Sequence, residues 1–244
     1  MRCGPLATES RPFISFVIPV LNEASRLPVL LTRLRRDFPD CELIVVDGGS
    51  SDESVAVSMP LADSVLLGEP GRALQMNLGA ACASGEWLGF LHADTEPLFD
   101  EAGLCAALGV ERRWGFCRIT LQGRASGLAM VSSFMNQRSR VTRVATGDQL
   151  LLVRRELFAE IEGFSKIPLM EDVEICKRLR SDYVGGCLTL TVRSSGRRWD
   201  DQGLWATIVR MWVLRLAYWL GVAPQRLRTH YYGKHAAPAH RGGG

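Results

Sequence analysis

Short apolar runs rich in β-branched residues alternate with stretches of helical periodicity through the first half of the chain. Residues 13–20 and 42–46 read as buried strands, and 87–91 as a third. Between them, 25–38 sets Leu27, Leu30, Leu31 and Leu34 at helical spacing, and 71–83 is a helix of small residues able to approach a sheet closely. This alternation predicts βαβ units around a mainly parallel sheet with helices on both faces, an α/β fold. After Asp47-Gly48-Gly49, Ser50 and Glu53 have the S-x-x-E spacing of a capping box. A helix is therefore expected directly at the carboxyl end of a strand, with Asp47 on the rim where open α/β sheets bind ligands.

The second half is less regular. It predicts strands over 115–121, 149–153 and 188–192, and helices over 126–138 and 172–180. From 204 to 220 runs a strongly apolar helix with Trp205, Trp212 and Trp219 seven apart, on a face shared with Ile208, Val209 and Leu216. Arg210 points away from that face and Arg215 flanks it. Such a face packs on the protein's own core or on a second copy in a homodimer, or it meets a membrane surface, where tryptophan and arginine are at home.

With 244 residues and 47% hydrophobic content, the chain can build one sizeable core. The net charge of +3 is of mixed sign along most of the sequence, with no basic block interleaved with aromatics, which argues against nucleic acid as a partner. Seven scattered cysteines without a C-x-x-C spacing argue against zinc or redox chemistry and suit reduced thiols in the cytoplasm. Residues 1–12 read as a loose leader without the apolar stretch of a secretory signal, and 233–244 as a disordered tail. The apolar run 216–223 is far below the roughly 20 residues of a spanning helix, so any membrane association is expected to be peripheral, at the inner membrane.

Two acidic patches stand out for chemistry: Asp94 in Phe90-Leu91-His92-Ala93-Asp94, and the pair Glu171-Asp172. Each follows an apolar stretch, where a carboxylate leaving the core can face a ligand. One could hold a metal and the other take a proton, a division of labour suited to moving a group from a charged leaving group to a hydroxyl. The sequence has no G-x-S-x-G elbow, no Walker lysine motif and no G-x-G-x-x-G, so triad hydrolase, ATPase and dehydrogenase readings fall away.

The runs 17–23 (VIPVLNE), 42–50 (ELIVVDGGS) and 75–80 (QMNLGA), followed in order by Thr146-Gly147-Asp148-Gln149, Met170-Glu171-Asp172-Val173 and Arg197-Arg198-Trp199, resemble family 2 glycosyltransferases of the GT-A fold. More narrowly the chain is similar to the branch found beside radical-SAM proteins and labelled arsenosugar-biosynthesis transferases. The resemblance implies one GT-A domain over 13–232, with a nucleotide-binding half at 13–95 and an acceptor half at 96–232. It implies transfer of a sugar from a nucleotide-sugar donor, a UDP- or GDP-sugar, to an acceptor hydroxyl of unknown identity, with inversion and with Mg²⁺ or Mn²⁺. In the family's pattern Asp47 contacts the nucleotide, with Pro19 and Glu23 in the loop lining the same pocket. Asp94 matches the last aspartate of the family's D-x-D, which holds the metal on the donor diphosphate; here the first position is His92, so the segment reads H-x-D. Asp172 matches the base that takes the acceptor proton, with Glu171 its neighbour or an acceptor ligand. Arg197, Arg198 and Trp199 match an element that closes over diphosphate and acceptor, the tryptophan being able to stack on a sugar. Arg72 is a further candidate for the donor, and Asp148 looks like a contact to the donor sugar or the acceptor. A nucleotidyltransferase or a non-catalytic nucleotide-sugar-binding protein would use the same half of the fold. The absence of glycine from Pro19 to Glu23 counts against the former, and His92 is the one departure favouring the latter.

Overall fold

A computed structural model describes residues 11–227. Alternate side chains of the first strand, β1 (Ile14–Val20), point to opposite sides, and each side finds a helix. Ile14, Phe16 and Ile18 join α1 (Leu27–Asp37) through Leu27, Leu30, Leu31 and Leu34, while Val17 joins α3 (Arg72–Cys82) through Ala73, Met76 and Ala80. A strand buried on both faces is nearly all apolar, here broken only by Ser15, whose hydroxyl donates to Glu42, and that is why this one was legible. The proline in the first turn of α1 fits there because that turn's N–H has no intrahelical acceptor.

The remaining elements are β2 (Glu42–Asp47), α2 (Ser54–Ser58), β3 (Ser64–Leu67), β4 (Trp87–Phe90), β5 (Thr95–Pro97), α4 (Glu101–Leu108), β6 (Trp114–Gln122), α5 (Leu128–Thr142), β7 (Leu151–Arg154), α6 (Arg155–Glu160), α7 (Glu171–Asp182), β8 (Gly185–Ser195), α8 (Arg197–Gln202) and α9 (Leu204–Trp219). They build one eight-stranded sheet in the order β3-β2-β1-β4-β7-β6-β8-β5. Neighbours from β3 to β4 are parallel, as are β6 and β8; β7 is antiparallel to both β4 and β6, and β5 to β8. The mainly parallel α/β sheet with helices on both faces is thus the observed fold.

Two local expectations are corrected. Ser50 does not cap a helix: its hydroxyl donates to the Asp47 carboxylate, and the following helix starts at Ser54, with Asp52 accepting from the Ser54 N–H at 3.0 Å. The tryptophan face of α9 does not pack on the protein's own core. The helix docks through Leu204, Ile208 and Met211, with Lys177 of α7 4.7 Å over the Tyr218 ring, and Trp205, Trp212 and Trp219 are exposed. Residues 1–10 of the leader and the tail 233–244 lie outside the described residues. The six cysteines within them are free thiols.

The small-residue helix α3 does approach the sheet closely. A Cβ on Gly79 would meet Val17 Cγ1 at 2.4 Å and Val46 Cγ2 at 2.9 Å. Gly79→Ala should gain about 0.8–1 kcal/mol of helix propensity but lose about 1–3 kcal/mol to overpacking. The expected net is a loss of about 1 kcal/mol, read as a lower urea midpoint with an unchanged slope.

Candidate active site

A cavity of about 690 Å³ opens at the carboxyl ends of β1 and β4. Gln75 of α3 fixes its floor: the buried amide donates to the carbonyls of Val20 (2.9 Å) and Val46 (2.8 Å), tying together the ends of β1 and β2. Gly48 makes room for it, since a Cβ there would lie 2.9 Å from the Gln75 amide. The loops after β1 and β2 are stitched by Asn22, whose side chain accepts from the Ser51 N–H at 2.8 Å and whose own N–H donates to Ser50 Oγ at 2.8 Å.

Three ligand-bearing side chains meet across the β4–β7 pair. Phe90 of β4 pairs with Leu151 of β7 in antiparallel register, so the segment leaving β4 faces the segment entering β7. The first holds His92 and Asp94; the second is a single 3-10 turn, Gly147–Gln149, that presents Asp148. Ligand atoms of His92, Asp94 and Asp148 lie within 4.8 Å of one another, with His92 Nδ1 3.4 Å from Asp148 Oδ1. One imidazole and two carboxylates make a donor set suited to a divalent ion that accepts nitrogen as well as oxygen. The turn is pinned by the buried Gln149, which accepts from the Thr146 N–H (3.0 Å) and from Ser139 Oγ (2.8 Å). Burial works against ionising Asp148, but hydrogen bonding to His92 and the charges of His92, Arg198 and Arg72 outweigh it and hold its pKa at about 2. Asp148 therefore stays a carboxylate at any physiological pH.

Opposite electrostatics act on Asp172. Its carboxylate accepts from the N–H groups of Gly147 (2.8 Å) and Val173 (2.7 Å), binding the start of α7 to the same turn. Burial first, and the neighbouring charge of Glu171 second, raise its pKa to about 6 in spite of those bonds. Met170, just before α7, has φ 68°, a left-handed conformation uncommon for a side chain of its size.

Among the residues singled out in the sequence, Pro19, Glu23, Arg72, His92, Asp94, Asp148, Glu171, Arg197 and Arg198 all line the large cavity. Asp172 lines a small void of about 20 Å³ behind it, shared with His92, Gly147 and Glu171. Asp47 behaves differently. It is buried, and its carboxylate accepts from the N–H groups of Gly49 and Ser50 (2.9 Å each) and from the Ser50 hydroxyl, so it holds a turn beside the cavity without lining it. Trp199 also departs from expectation: its ring is buried in the core with Leu128 and Val131, because the short helix α8 turns that side inward while Arg197 and Arg198 face the cavity. Sequence reasoning missed Gln75, which lay in a quoted motif without a role, and the segment Lys166–Leu169, an irregular stretch with no periodic signal.

Residues 15–107 match the family described as Glycosyl transferase family 2. That stretch contains Pro19, Glu23, Arg72, His92 and Asp94 and ends before Asp148 and the Glu171–Asp172 pair. A PGL/p-HBAD biosynthesis glycosyltransferase of Mycobacterium bovis (strain BCG / Pasteur 1173P2) is 40% identical over an alignment of 93 residues that covers 34% of this chain and 36% of that protein. The match thus spans about a third of the relative's length. Among solved structures, the mannosyltransferase PcManGT from Pyrobaculum calidifontis, in complex with GDP-Man and Mn²⁺, is similar with a TM-score of 0.59 and 20% identity, covering 86% of this chain and 62% of that one. Glucosyl-3-phosphoglycerate synthase from Mycobacterium tuberculosis, bound to Mn²⁺, UDP and glucosyl-3-phosphoglycerate, gives a TM-score of 0.57 at 18% identity over 89% of this chain and 85% of that one. At such identities the likeness is one of fold, and the fold is GT-A-like.

If His92, Asp94 and Asp148 act as one ligand group, Asp94→Asn and Asp148→Asn should each weaken Mn²⁺ binding by about tenfold or more. Electron paramagnetic resonance of free Mn²⁺ during a titration reads this directly.

Proposed function

We propose that this protein is a metal-dependent glycosyltransferase that moves a sugar from a nucleoside-diphosphate sugar to an acceptor hydroxyl with inversion. The observation that carries the reading is the facing arrangement within one cavity: a His92–Asp94–Asp148 ligand group and the arginines Arg72, Arg197 and Arg198 beside it, with Glu171 on the wall and Asp172 just behind. The family match over 15–107, the named activity of the mycobacterial relative and the nucleotide-sugar ligands of the structural neighbours support the same reading.

Four cationic side chains (Arg72, Lys166, Arg197, Arg198) and four carboxylates (Glu23, Asp94, Asp148, Glu171) line the cavity. A diphosphate entering such a nearly neutral site needs additional positive charge close to the leaving oxygen. A divalent cation on His92, Asp94 and Asp148 would supply it, and the imidazole favours Mn²⁺ over Mg²⁺, which prefers oxygen throughout. The guanidinium groups then bind phosphate oxygens, in two-pronged fashion where geometry allows. Pro19, Val20 and Glu23, with Gln75 beneath, suit the nucleoside end.

In the proposed step the acceptor oxygen bonds to the anomeric carbon as its proton passes to Asp172, and the bond from that carbon to the diphosphate oxygen breaks in line. The nucleoside diphosphate leaves with the bonding electron pair. No covalent intermediate with the enzyme is required, which accounts for inversion. A carboxylate with a pKa near 6 is a stronger base than an ordinary aspartate while remaining ionised at neutral pH. Glu171 faces the acceptor and, by its charge, keeps Asp172 basic. The likeness to the radical-SAM-associated branch adds no preference for one acceptor. A cytoplasmic setting agrees with the free thiols.

The decisive assay is product release from a panel of UDP- and GDP-sugars, selected by thermal shift, with and without Mn²⁺. Metal-dependent nucleoside diphosphate is expected; pyrophosphate would favour nucleotidyl transfer, and no release from any donor bound would favour a binding protein. Asp172→Asn should lower turnover by at least about 100-fold while retaining donor affinity.

The acid limb of kcat/KM should rise through about pH 6 as Asp172 loses its proton. Glu171→Gln removes the negative neighbour that raises this pKa, so the limb should move to lower pH. An unmoved limb, or normal turnover by Asp172→Asn, would transfer the role of base to another group.

A further inference from the structure

The outer side of α9 is the reverse of an ordinary surface helix. Trp205, Val209, Trp212, Val213, Leu216, Trp219 and Leu220 are each between 56% and 75% exposed. At about 100° per residue they fall in one sector of roughly a third of the helix circumference, and no polar residue interrupts it. The three indoles, at about 150–250 Å² apiece, alone expose several hundred Å², at the top of the range for the largest apolar patch of a soluble monomer. Arg215 flanks the sector on one side, and Arg210 lies farther round on the other, beyond Ala206 and Ala217; both are half-buried. The opposite side of the helix is occupied: Thr207 and Leu214 are buried, and Tyr218 lies under Lys177.

Charge says what covers this face. All 26 acidic residues of the chain lie at or before Asp201, whereas six basic ones (Arg210, Arg215, Arg226, Arg228, Lys234 and Arg241) follow it. The net positive charge of the protein therefore resides wholly in its last segment, and the rest is net negative. A second copy packed isologously on this face would set like charge against like, since the helix carries basic residues and no carboxylate. It would also place three indole N–H groups in a dry seam, where each needs an acceptor. At a lipid headgroup layer the same N–H groups find phosphate and carbonyl oxygens, and the arginines find anionic charge. The helix, 16 residues long, is not one that crosses a membrane.

We propose that α9 is an interfacial anchor that lies in the plane of an anionic lipid surface, with its tryptophan face inserted and Arg215 at headgroup level. The inference does not rest on the transferase reading, because its test reads binding alone. Vesicles of phosphatidylcholine, and of phosphatidylcholine mixed with phosphatidylglycerol, are floated with the purified full chain on a density gradient, and tryptophan emission is recorded. The chain should float with the mixed vesicles, far less with phosphatidylcholine alone, and its emission should shift to the blue. Replacing Trp205, Trp212 and Trp219 together by Ser should reduce the partition coefficient by about tenfold or more, with an unchanged circular dichroism spectrum. Should that variant misfold, Val213→Glu, which places a charge in the same sector, is the second probe and should lower flotation likewise. The proposal is overturned if the wild-type chain stays at the bottom of both gradients, if it floats equally with both lipids, or if a folded variant floats as well as wild type. A wild-type chain that is dimeric by light scattering, becomes monomeric on the triple substitution and binds neither vesicle would assign the face to a second copy.

Discussion

The site depends on one strand running against its neighbours. From β3 to β4 the sheet is parallel, and the next strand, β7, enters antiparallel beside β4. The start of β7 rather than its end therefore abuts the exit of β4, so Asp148 arrives next to His92 and Asp94. A parallel β7 would carry Asp148 to the far edge, roughly 13 Å away for a four-residue strand. The same turn then receives α7, through the bond from the Gly147 N–H to Asp172. One reversal of direction thus brings residues from three distant stretches of the chain into a single cluster.

Within that cluster, burial penalises both Asp148 and Asp172, and the two carboxyls nevertheless move in opposite directions. Burial alone would raise both; around Asp148 it is outweighed by the hydrogen bond and charge of His92 with Arg198 and Arg72, whereas at Asp172 it prevails and the charge of Glu171 adds to it. Partial desolvation amplifies whichever neighbour is present. A carboxylate held ionised and another held near the point of accepting a proton thus coexist in one small region, the separation of roles that acid–base chemistry on a charged substrate requires.

Much of the fold was legible because its signals are periodic. The largely apolar run of β1, the leucine spacing of α1 and the small residues of α3 each state their burial in the sequence itself. The edge strand β3, with four residues half-buried or exposed, and the three-residue β5 carry too little pattern to be seen. The cavity residues found from motifs are those on segments leaving strands. Lys166–Leu169 was missed because an irregular segment reaches the cavity by tertiary packing alone. Asp47 and Trp199 stand off the cavity lining for a related reason. Sequence names the residue and the strand end, but whether a carboxylate turns to ligand or to its own loop, and which side of a six-residue helix faces inward, is decided by neighbours that adjacent positions do not encode.

The contact between His92 and Gly147 has a consequence for how this site could diversify. The ring sits so close to the turn that a Cβ at position 147 would fall 2.5 Å from Cε1 and 2.9 Å from Nε2. Positions 92 and 147 are thus a steric pair: a side chain at 147 would require the imidazole to leave its place against the turn. A shorter acid at position 92 would relieve that crowding, so the tolerance of the turn for a side chain at 147 is set by the residue that stands at 92.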